Sequence, residues 1–307
     1  MDSRPHPRPA GAVVLTGAGG VLGWGLARRW PGSGLAPPVL LGRRAPAFWG
    51  PVRHEAMELG LGPRDRGSCA DWARRLRPAL WIHAASLSRW EACERDPLRA
   101  FTWNVEALRG LLEVARETGT RVLLVSTDQV FDGRGREYLE GADPCPVHVY
   151  GATKARAEDL ALAAGQAVVR LPLLLGPSVA PGRRGADAAV VEAVRSGRRP
   201  RLFVDEWRTP LGVLRAAEGL LGWLADPQPG VFHLAGAEAL SRLELGEKVC
   251  RRLGLRASFE ALRRADAGME QRPARLILRG PRAVRLLRWK PPDLRQSLAH
   301  WESRSHD

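Results

Sequence analysis

Cysteine and lysine are scarce in this chain of 307 residues, and long hydrophobic runs are missing. Its four cysteines form no CxxC pair, which argues against a zinc site or a disulfide framework and favours a reduced, cytoplasmic protein without a metal. The longest apolar stretches run to about five residues, far short of the roughly 20 that a membrane-spanning helix needs. Residues 1–10 contain no apolar segment of signal-peptide length, and we expect a disordered tail there. We therefore expect a protein that is neither secreted, membrane-bound nor fibrous.

Positive charge is abundant, with 47 basic residues against 33 acidic ones and a net charge of +14. Lysine supplies only three of the basic residues, and arginine supplies the rest. The arginines are scattered along the chain, with Arg-Arg pairs at 28–29, 43–44, 74–75, 183–184, 198–199, 251–252 and 263–264. This scatter is typical of a GC-rich coding bias, and no recognised nucleic-acid-binding motif accompanies it. We therefore expect no nucleic-acid partner, whereas the basic surface favours phosphorylated small molecules.

Continuous apolar runs alternate with helical patterns through the first 175 residues. The runs at 12–15, 39–41, 79–83, 121–125 and 167–171 are predicted strands, and the helical patterns end at Trp30 or cover 71–77, 97–118 and 149–164. Strands that are apolar throughout indicate a parallel sheet covered on both faces. We predict an α/β fold with a Rossmann-type, doubly wound parallel sheet over 11–175. A smaller C-terminal part, 176–307, is predicted to bind mainly the substrate, with segments at about 205–236 returning to the core.

A glycine-rich turn, from Thr16 to Gly23, follows the first predicted strand and opens the first predicted helix. This order is the context that the dinucleotide-binding fingerprint requires. Glycines let the backbone turn tightly and approach a pyrophosphate, which meets free N–H groups and the positive end of the helix dipole. The pattern predicts a dinucleotide site formed by Gly17, Gly19, Gly20, Val21, Leu22 and Gly23. An ordinary glycine-rich turn without a ligand is the alternative.

The end of the second strand predicts which dinucleotide binds. An acidic residue there holds the ribose 2′-hydroxyl of NAD, whereas an arginine accommodates the 2′-phosphate of NADP. Between Val39 and Ala47 the chain has Arg43 and Arg44 and no acidic residue. We therefore expect NADP(H) as the cofactor in preference to NAD(H). The alternative is that these are two further arginines of an arginine-rich chain.

Tyr150 and Lys154 lie at the start of a predicted helix, and their spacing of four places them on one helical face. A lysine ammonium near a phenol favours the phenolate and lowers the phenol pKa from about 10. Tyr150 thereby becomes an acid–base group for a carbonyl oxygen, which the hydroxyl of Thr127 holds in place. Taken alone, the pair is better explained as two surface side chains.

The order of these motifs makes the chain resemble the extended short-chain dehydrogenase/reductases, and within them the dTDP-4-dehydrorhamnose reductase family. The most specific string is Val125-Ser-Thr-Asp-Gln-Val-Phe-Asp-Gly133, followed by Tyr138-Leu-Glu140, Pro144 and Tyr150-Gly-Ala-Thr-Lys154. Further matching segments are 81–86, 91–105, 169–170, 209–210, 230–236 and 272–273. The resemblance spans about residues 11–290 and implies an NADPH-dependent reductase of a nucleotide-linked 4-keto-6-deoxysugar.

The resemblance also implies roles for individual residues. Tyr150 is the implied proton donor to the substrate carbonyl, Lys154 tunes its pKa and contacts the ribose, and Thr127 positions the oxygen. Asp65 falls where the family often has an acid near the adenine. Asn104 either faces the active-site strand beside the cofactor or bonds backbone inside the fold. The remaining implied contacts are Ala84, Ala85 and Ser86 with the nicotinamide half of the cofactor, and Ser86, Thr127, Asp128, Gln129, Arg170, Trp207 and Arg208 with the substrate.

Three departures from the family pattern fall at the substrate end. Gln129 replaces a tyrosine, Asp205-Glu-Trp-Arg208 replaces an Asp-Gln segment, and Arg275-Leu276 replaces an Asn-Ser pair. Since the redox residues are kept, we expect an enzyme, either this reductase or a related reductase or epimerase of a different small carbonyl substrate. The alternative is a non-catalytic, NADP-binding regulatory subunit, such as the one of methionine adenosyltransferase. A homodimer is left open.

Overall fold

The computed structural model describes residues 11–56 and 63–304, and over 63–69 and 303–304 it describes only the backbone. The tail expected at 1–10 lies outside the described residues. The strands in this part of the chain are β1 (Val13–Thr16), β2 (Val39–Gly42), β3 (His54–Ala56), β4 (Leu80–His83), β5 (Arg121–Thr127), β6 (Ala167–Leu171), β7 (Leu174–Leu175), β8 (Arg201–Phe203), β9 (Trp207–Arg208), β10 (Leu211–Gly212), β11 (Gly230–His233), β12 (Leu240–Ser241), β13 (Glu260–Leu262) and β14 (Arg275–Leu276). The α-helices are α1 (Val21–Arg29), α2 (Pro63–Leu76), α3 (Trp90–Arg95), α4 (Pro97–Phe101), α5 (Ala107–Thr118), α6 (Val149–Ala163), α7 (Ala186–Arg195), α8 (Val213–Ala225), α9 (Arg242–Arg252), α10 (Pro281–Leu286) and α11 (Leu294–Ser297).

Seven strands form one sheet in the order β11-β6-β5-β4-β1-β2-β3. Every neighbouring pair in this sheet is parallel. From the pair β1 and β4, the strand order runs outward in both directions, through β2 and β3 on one side and through β5, β6 and β11 on the other. This pair marks the switch point, where doubly wound sheets open a crevice at the carboxyl ends of their strands. The predicted Rossmann-type α/β fold is confirmed.

Helices cover both faces of the sheet, which accounts for the continuous apolar runs in its strands. Val13 and Leu15 of β1 belong to one core, which also contains side chains of α1 and α8. Val14 belongs to the other core, together with side chains of α2, α5 and α6. The short strands β12, β9 and β14 form a separate sheet in the C-terminal part, where α7 packs on α9. Over the described residues, no helix combines the length and apolarity that crossing a membrane requires.

The helix predicted at 97–118 is a helical run with a π turn inside it. Asp96 caps the run, since its carboxylate accepts a hydrogen bond from the N–H of Arg99, and Pro97 occupies the first turn as expected. Residues Thr102–Glu106 then form the π turn, a geometry that often occurs at functional sites. The sequence pattern missed this turn because its residues have ordinary helical character.

Asn104 lies in the π turn, and its amide is fully used inside the fold. Its oxygen accepts from the N–H of Leu87 at 2.7 Å, while its nitrogen donates to the Leu87 carbonyl and to the Thr153 hydroxyl, both at 3.0 Å. Of the two alternatives for Asn104, the structure therefore favours backbone bonding over a cofactor contact. The side chain holds the loop that follows β4 against α6.

Arg170 lies next to the last residue of β6 and is 2% exposed, which corrects the expectation that it contacts the substrate. Its guanidinium forms a buried ion pair with Glu158 of α6, with Nη2 and Oε2 2.6 Å apart. Ser126 donates a further hydrogen bond to the same carboxylate. The imidazole of His233, whose pKa burial lowers to about 3, accepts from Arg170 at 3.3 Å. Arg170 therefore anchors α6 to the sheet.

Replacing Glu158 with alanine is expected to lower the free energy of unfolding by about 3–5 kcal/mol, because Arg170 would stay buried without its partner. The matched control is Glu192→Ala, which breaks the exposed pair between Glu192 and Arg184. That change is expected to cost about 1 kcal/mol or less. Urea denaturation of the three proteins measures both effects, and similar losses for the two variants would contradict this assignment.

Candidate active site

The glycine-rich turn and the loop after β4 lie side by side at the carboxyl edge of the sheet. Gly17 has a φ of +76°, in the left-handed region that favours glycine. A Cβ at Gly17 would lie 2.5 Å from the carbonyl carbon of Ala84, so only glycine allows this approach. The N–H of Ala84 also donates to the Thr16 carbonyl at 3.3 Å. The predicted contacts Ala84, Ala85 and Ser86 are thereby brought next to the predicted pyrophosphate turn.

Helix α1 begins directly after this turn. Gly20 caps the helix with extended backbone and no side-chain hydrogen bond. The first hydrogen bond of the helix runs from the N–H of Trp24 to the carbonyl of Gly20 at 3.1 Å. The N–H groups of Val21, Leu22 and Gly23 lie in the first turn, ahead of any carbonyl that the helix could offer them. Such N–H groups and the positive end of the helix dipole can bind a phosphate.

The second strand ends beside the turn, because β2 pairs with β1 in the sheet. Arg43 and Arg44 follow β2 directly and are exposed. A guanidinium at this edge can pair with a phosphate through two parallel hydrogen bonds. Asp65 falls within α2, in the segment where side chains lie outside the described residues.

The phenol of Tyr150 is buried at the start of α6, and the side chains of Ser86 and Thr127 act on it by favouring the phenolate. Burial raises the pKa of Tyr150 to about 12, and the charge of Asp128 acts in the same direction, while the two hydroxyls oppose the rise. The lowered pKa expected from the sequence is therefore wrong for this structure, since burial outweighs the groups that stabilise the phenolate. Near neutral pH, Tyr150 is a neutral phenol that can donate a proton.

Lys154 lies one turn beyond Tyr150 on α6 and is also buried. Its ammonium donates to the carbonyl of Val125 at 2.7 Å. Burial lowers the pKa of Lys154 to about 8, and the neighbouring charge of Glu158 opposes this shift. Burial lowers the pKa of His83 to about 3, and the positive charge of Lys154 contributes to the same shift. His83 is a site neighbour that the sequence analysis did not identify.

The start of α6 is fixed against the end of β5. The Nδ1 atom of His148 accepts a hydrogen bond from the N–H of Gly151 at 2.9 Å and so caps the helix. A Cβ at Gly151 would lie 2.2 Å from the carbonyl oxygen of Gln129, which means that only glycine fits there. This contact holds Tyr150 close to Thr127.

Thr127 and Asp128 form a hydrogen-bonded pair beside the phenol. The Thr127 hydroxyl donates to Oδ1 of Asp128 at 3.3 Å and accepts from the N–H of Gln129 at 3.2 Å. The other oxygen of Asp128 lies 3.9 Å from Nε of Arg208. Burial raises the pKa of Asp128 to about 6, although the Arg208 charge and the Thr127 bond oppose the rise. Asp128 is therefore a carboxyl that titrates just below neutral pH.

Arg208 belongs to a cluster in which three arginines surround one carboxylate, that of Glu206. The Glu206 oxygens lie 3.3 Å from Nη2 of Arg208, 3.0 Å from Nε of Arg272 and 3.9 Å from Nε of Arg242. Burial alone would raise the pKa of Glu206, but the three arginines lower it overall. With Asp128 included, three cations face two carboxylates, and the cluster suits an anionic ligand. Sequence reasoning named Arg208 and Asp128 as substrate contacts but did not connect them with Glu206, Arg242 and Arg272, because the two additional arginines lie far along the chain.

Trp207 and Arg208 cannot face the same way, since neighbouring side chains of a strand point to opposite faces. Arg208 faces Asp128, whereas the Trp207 ring lies 5.6 Å from the guanidinium carbon of Arg275. The two side chains therefore lie on opposite faces of β9, and the expectation that both contact the substrate stays a prediction. Two of the three departures from the family pattern, at 205–208 and 275–276, meet in this contact between β9 and β14.

Among the described residues, no group of three or more His, Cys, Asp or Glu side chains is arranged to hold a metal ion. What the site does bring together is a phenol, two hydroxyls, a buried ammonium and a titrating carboxyl, next to a turn that can bind phosphate. This set can protonate a carbonyl oxygen while a bound dinucleotide lies along the sheet edge.

Comparisons with known proteins bear on the family and the fold. The family model described as RmlD substrate binding domain matches residues 11–305. Methionine adenosyltransferase 2 subunit beta of Xenopus laevis is 31% identical over 177 residues, covering 55% of this chain and 53% of that protein, so the match spans about half of its length. dTDP-4-keto-6-deoxy-D-glucose reductase of Streptomyces niveus is 28% identical over 247 residues, 78% of each chain. The structure of dTDP-4-dehydrorhamnose reductase from Bacillus anthracis, solved in complex with NADP, superposes with a TM-score of 0.79 at 18% identity, covering 96% of this chain and 99% of that one.

Asp128→Asn tests the titration of this carboxyl. Because burial raises the pKa of Asp128 from 3.8 to about 6, the folded protein binds this proton more tightly than the unfolded chain. The stability that the proton contributes is complete below the unfolded pKa and is lost as the pH rises through the folded one. The Tm of the wild type, relative to that of Asp128→Asn, is therefore expected to fall as the pH rises through this window.

Thermal melts at four pH values spanning this window measure the difference. Asp132→Asn is the control, because burial raises the pKa of Asp132 but hydrogen bonds from Arg134 and Tyr138 lower it overall, which gives the opposite trend. A Tm difference between the wild type and Asp128→Asn that stays constant with pH would rule out this titration.

Proposed function

Since the chain belongs to the RmlD substrate binding domain family, we propose that it is an NADPH-dependent reductase of a nucleotide-linked 4-keto-6-deoxysugar. In this reaction a carbonyl carbon receives a hydride and its oxygen receives a proton, which gives a secondary alcohol. The observation that carries the proposal is the buried phenol of Tyr150 at the start of α6, which is packed against the end of β5, the strand that ends at Thr127.

Tyr150 is the proposed proton donor. Its raised pKa keeps the phenol protonated at neutral pH, which is the form that a reduction needs. Thr127 and Ser86 are proposed to hold the substrate oxygen near the phenol, because both side chains act on the phenol. The Thr127 hydroxyl also donates to Asp128, which fixes its orientation beside the phenol. Lys154 provides a positive charge one turn away and would contact the ribose.

The residues at the sheet edge fit a dinucleotide. Gly17 allows the backbone to approach closely, and the first N–H groups of α1 suit a pyrophosphate. Arg43 and Arg44 suit the 2′-phosphate that distinguishes NADP from NAD. The Bacillus anthracis protein that shares this fold was solved with NADP, which supports the same cofactor here. When bound, the reduced nicotinamide supplies the hydride.

A nucleotide sugar is the proposed substrate class. The Streptomyces niveus relative is named a reductase of a dTDP-linked 4-keto-6-deoxysugar, and it aligns with 78% of this chain. The cluster of Arg208, Arg242 and Arg272 offers an excess positive charge beside Asp128, which suits the diphosphate of such a substrate.

A second candidate is a cofactor-binding regulatory subunit. It is favoured by the Xenopus laevis relative, which is a subunit of methionine adenosyltransferase rather than a reductase by name. Against it, this chain keeps both Tyr150 and Lys154, and a regulatory role alone has no need of a buried proton donor. The enzyme is therefore the preferred function.

Tyr150→Phe separates the two candidates. The variant keeps the ring and its packing but loses the acid, so turnover of a nucleotide 4-ketosugar should fall about 10²–10⁴-fold while NADPH binding hardly changes. Tyr138→Phe is the matched control, because this other tyrosine donates to Asp132 away from the site, and its turnover should stay near that of the wild type. NADPH oxidation followed at about 340 nm measures both, across a panel of nucleotide ketosugars. Binding of NADPH without reduction of any ketosugar would favour the regulatory subunit.

Arg43→Ala tests the cofactor preference. Loss of a charge-assisted bond to the 2′-phosphate is expected to weaken NADPH binding by about 1.5–3 kcal/mol and to leave NADH binding unchanged. Arg53→Ala serves as the control, since Arg53 is an exposed arginine nearby that pairs with Glu55. Titration calorimetry with each nucleotide gives the Kd values. Equal Kd values of the wild type for NADPH and NADH would contradict the preference.

A further inference from the structure

The loop between β7 and α7, residues 176–185, is closed tightly at its base. The N–H of Gly185 donates to the carbonyl of Gly176 at 3.2 Å. The buried carboxylate of Asp187 accepts from the N–H of Gly176 and from the indole N–H of Trp301, both at 2.8 Å. These bonds join the loop to α7 and to the C-terminal segment, so the base of the loop has a fixed position.

The rest of the loop turns back on itself. The N–H of Val179 donates to the carbonyl of Arg183, and the N–H of Arg183 donates to the carbonyl of Ala180, both at 2.9 Å. Gly182 has a φ of +70°, which lets the chain reverse between these residues. This turn therefore fixes the position of the Arg183 backbone.

This loop lies directly over the glycine-rich turn. At its base, a Cβ on Gly176 would come within 2.7 Å of the side chain of Val21, the first residue of α1. At its turn, Nη1 of Arg183 donates to the carbonyl of Gly19 at 3.1 Å, and a Cβ on Gly19 would lie 2.8 Å from the same nitrogen. The guanidinium thus reaches the glycine-rich turn just before the start of α1.

We infer that Arg183 binds the pyrophosphate of the dinucleotide and closes this loop over it. The inference rests on the proposed function, because it needs a dinucleotide on the glycine-rich turn. The turn contributes backbone N–H groups but no charged side chain of its own, whereas a pyrophosphate carries two negative charges. Arg183 supplies a cation at that point, 164 residues away in sequence from Gly19.

The partners of the two adjacent arginines support the assignment. Arg184 forms an ion pair with Glu192 at 2.6 Å, which fixes it on α7. Arg183 has a carbonyl oxygen and no carboxylate as its partner among the described residues. A phosphate oxygen is a stronger acceptor for a guanidinium than a peptide carbonyl, so exchanging one for the other is favourable.

Arg183→Ala is the test, with Kd values for NADPH and for NADH measured by titration calorimetry. Both nucleotides contain the pyrophosphate, so both Kd values should rise by the same factor, about tenfold to a hundredfold. Arg183→Lys should recover part of the affinity, since it keeps the charge without the planar fork. Arg184→Ala removes the neighbouring charge and should leave both Kd values as in the wild type. The Tm of each variant without nucleotide should stay unchanged, because Arg183 is exposed.

The possible results are distinct. An increase in Kd for NADPH alone would assign Arg183 to the 2′-phosphate and overturn the inference. Unchanged Kd values for both nucleotides, in a protein that binds them, would overturn it while leaving the proposed function intact. A wild-type protein that binds neither nucleotide would overturn both. In the double variant with Arg43→Ala, the two losses in NADPH affinity should multiply, because the two side chains address different phosphates.

Discussion

The buried ion pair between Glu158 and Arg170 sets the position of α6, and the site depends on that position. Glu158 lies one turn beyond Lys154 and two turns beyond Tyr150 on the same helical face. Its carboxylate is held by a guanidinium from β6 and by the hydroxyl of Ser126 from β5, so two strands fix both the depth and the rotation of the helix. A buried pair offsets its desolvation only when the geometry is good, and here the two guanidinium nitrogens meet the carboxylate together. The ion pair between Glu158 and Arg170 thus fixes the position of the Tyr150 phenol, which lies two turns away on the same helix.

Much of the fold could be predicted from the sequence, because its signals are local. The middle of a strand such as 121–127 is buried on both faces and therefore apolar over Val122–Leu124. The glycine-rich turn needs glycine for steric reasons that hold in any chain. The spacing of Tyr150 and Lys154 also survives folding, since a helix fixes which residues share a face. The short strands of the C-terminal part could not be predicted in this way. Pairs such as β9 and β14 have two residues each and are defined by partners distant in sequence.

The electrostatics of the site could be predicted far less well. Arg170 and Arg208 look alike in the sequence, yet the first is an internal anchor and the second borders Asp128. The pKa of Tyr150 was expected to fall because of one nearby charge, and it rises because burial acts on the whole side chain. Arg183 is one of many scattered arginines in the sequence, and only the fold brings it to the carbonyl of Gly19. Burial and long-range contact decide each of these cases, and neither is visible in a local pattern.

Because of the π turn at Thr102–Glu106, the geometry of the site depends on the number of residues in this helical run. One additional residue in the turn leaves α4 and α5 out of phase by about 100° relative to a regular helix. A chain shortened by one residue here would form an uninterrupted helix with better local geometry, but the amide of Asn104 would rotate away from Leu87. The loop that carries Ser86 would then lose its anchor to α6, although every active-site residue would still be present. Insertions and deletions in this helix therefore alter the site as surely as substitutions within it.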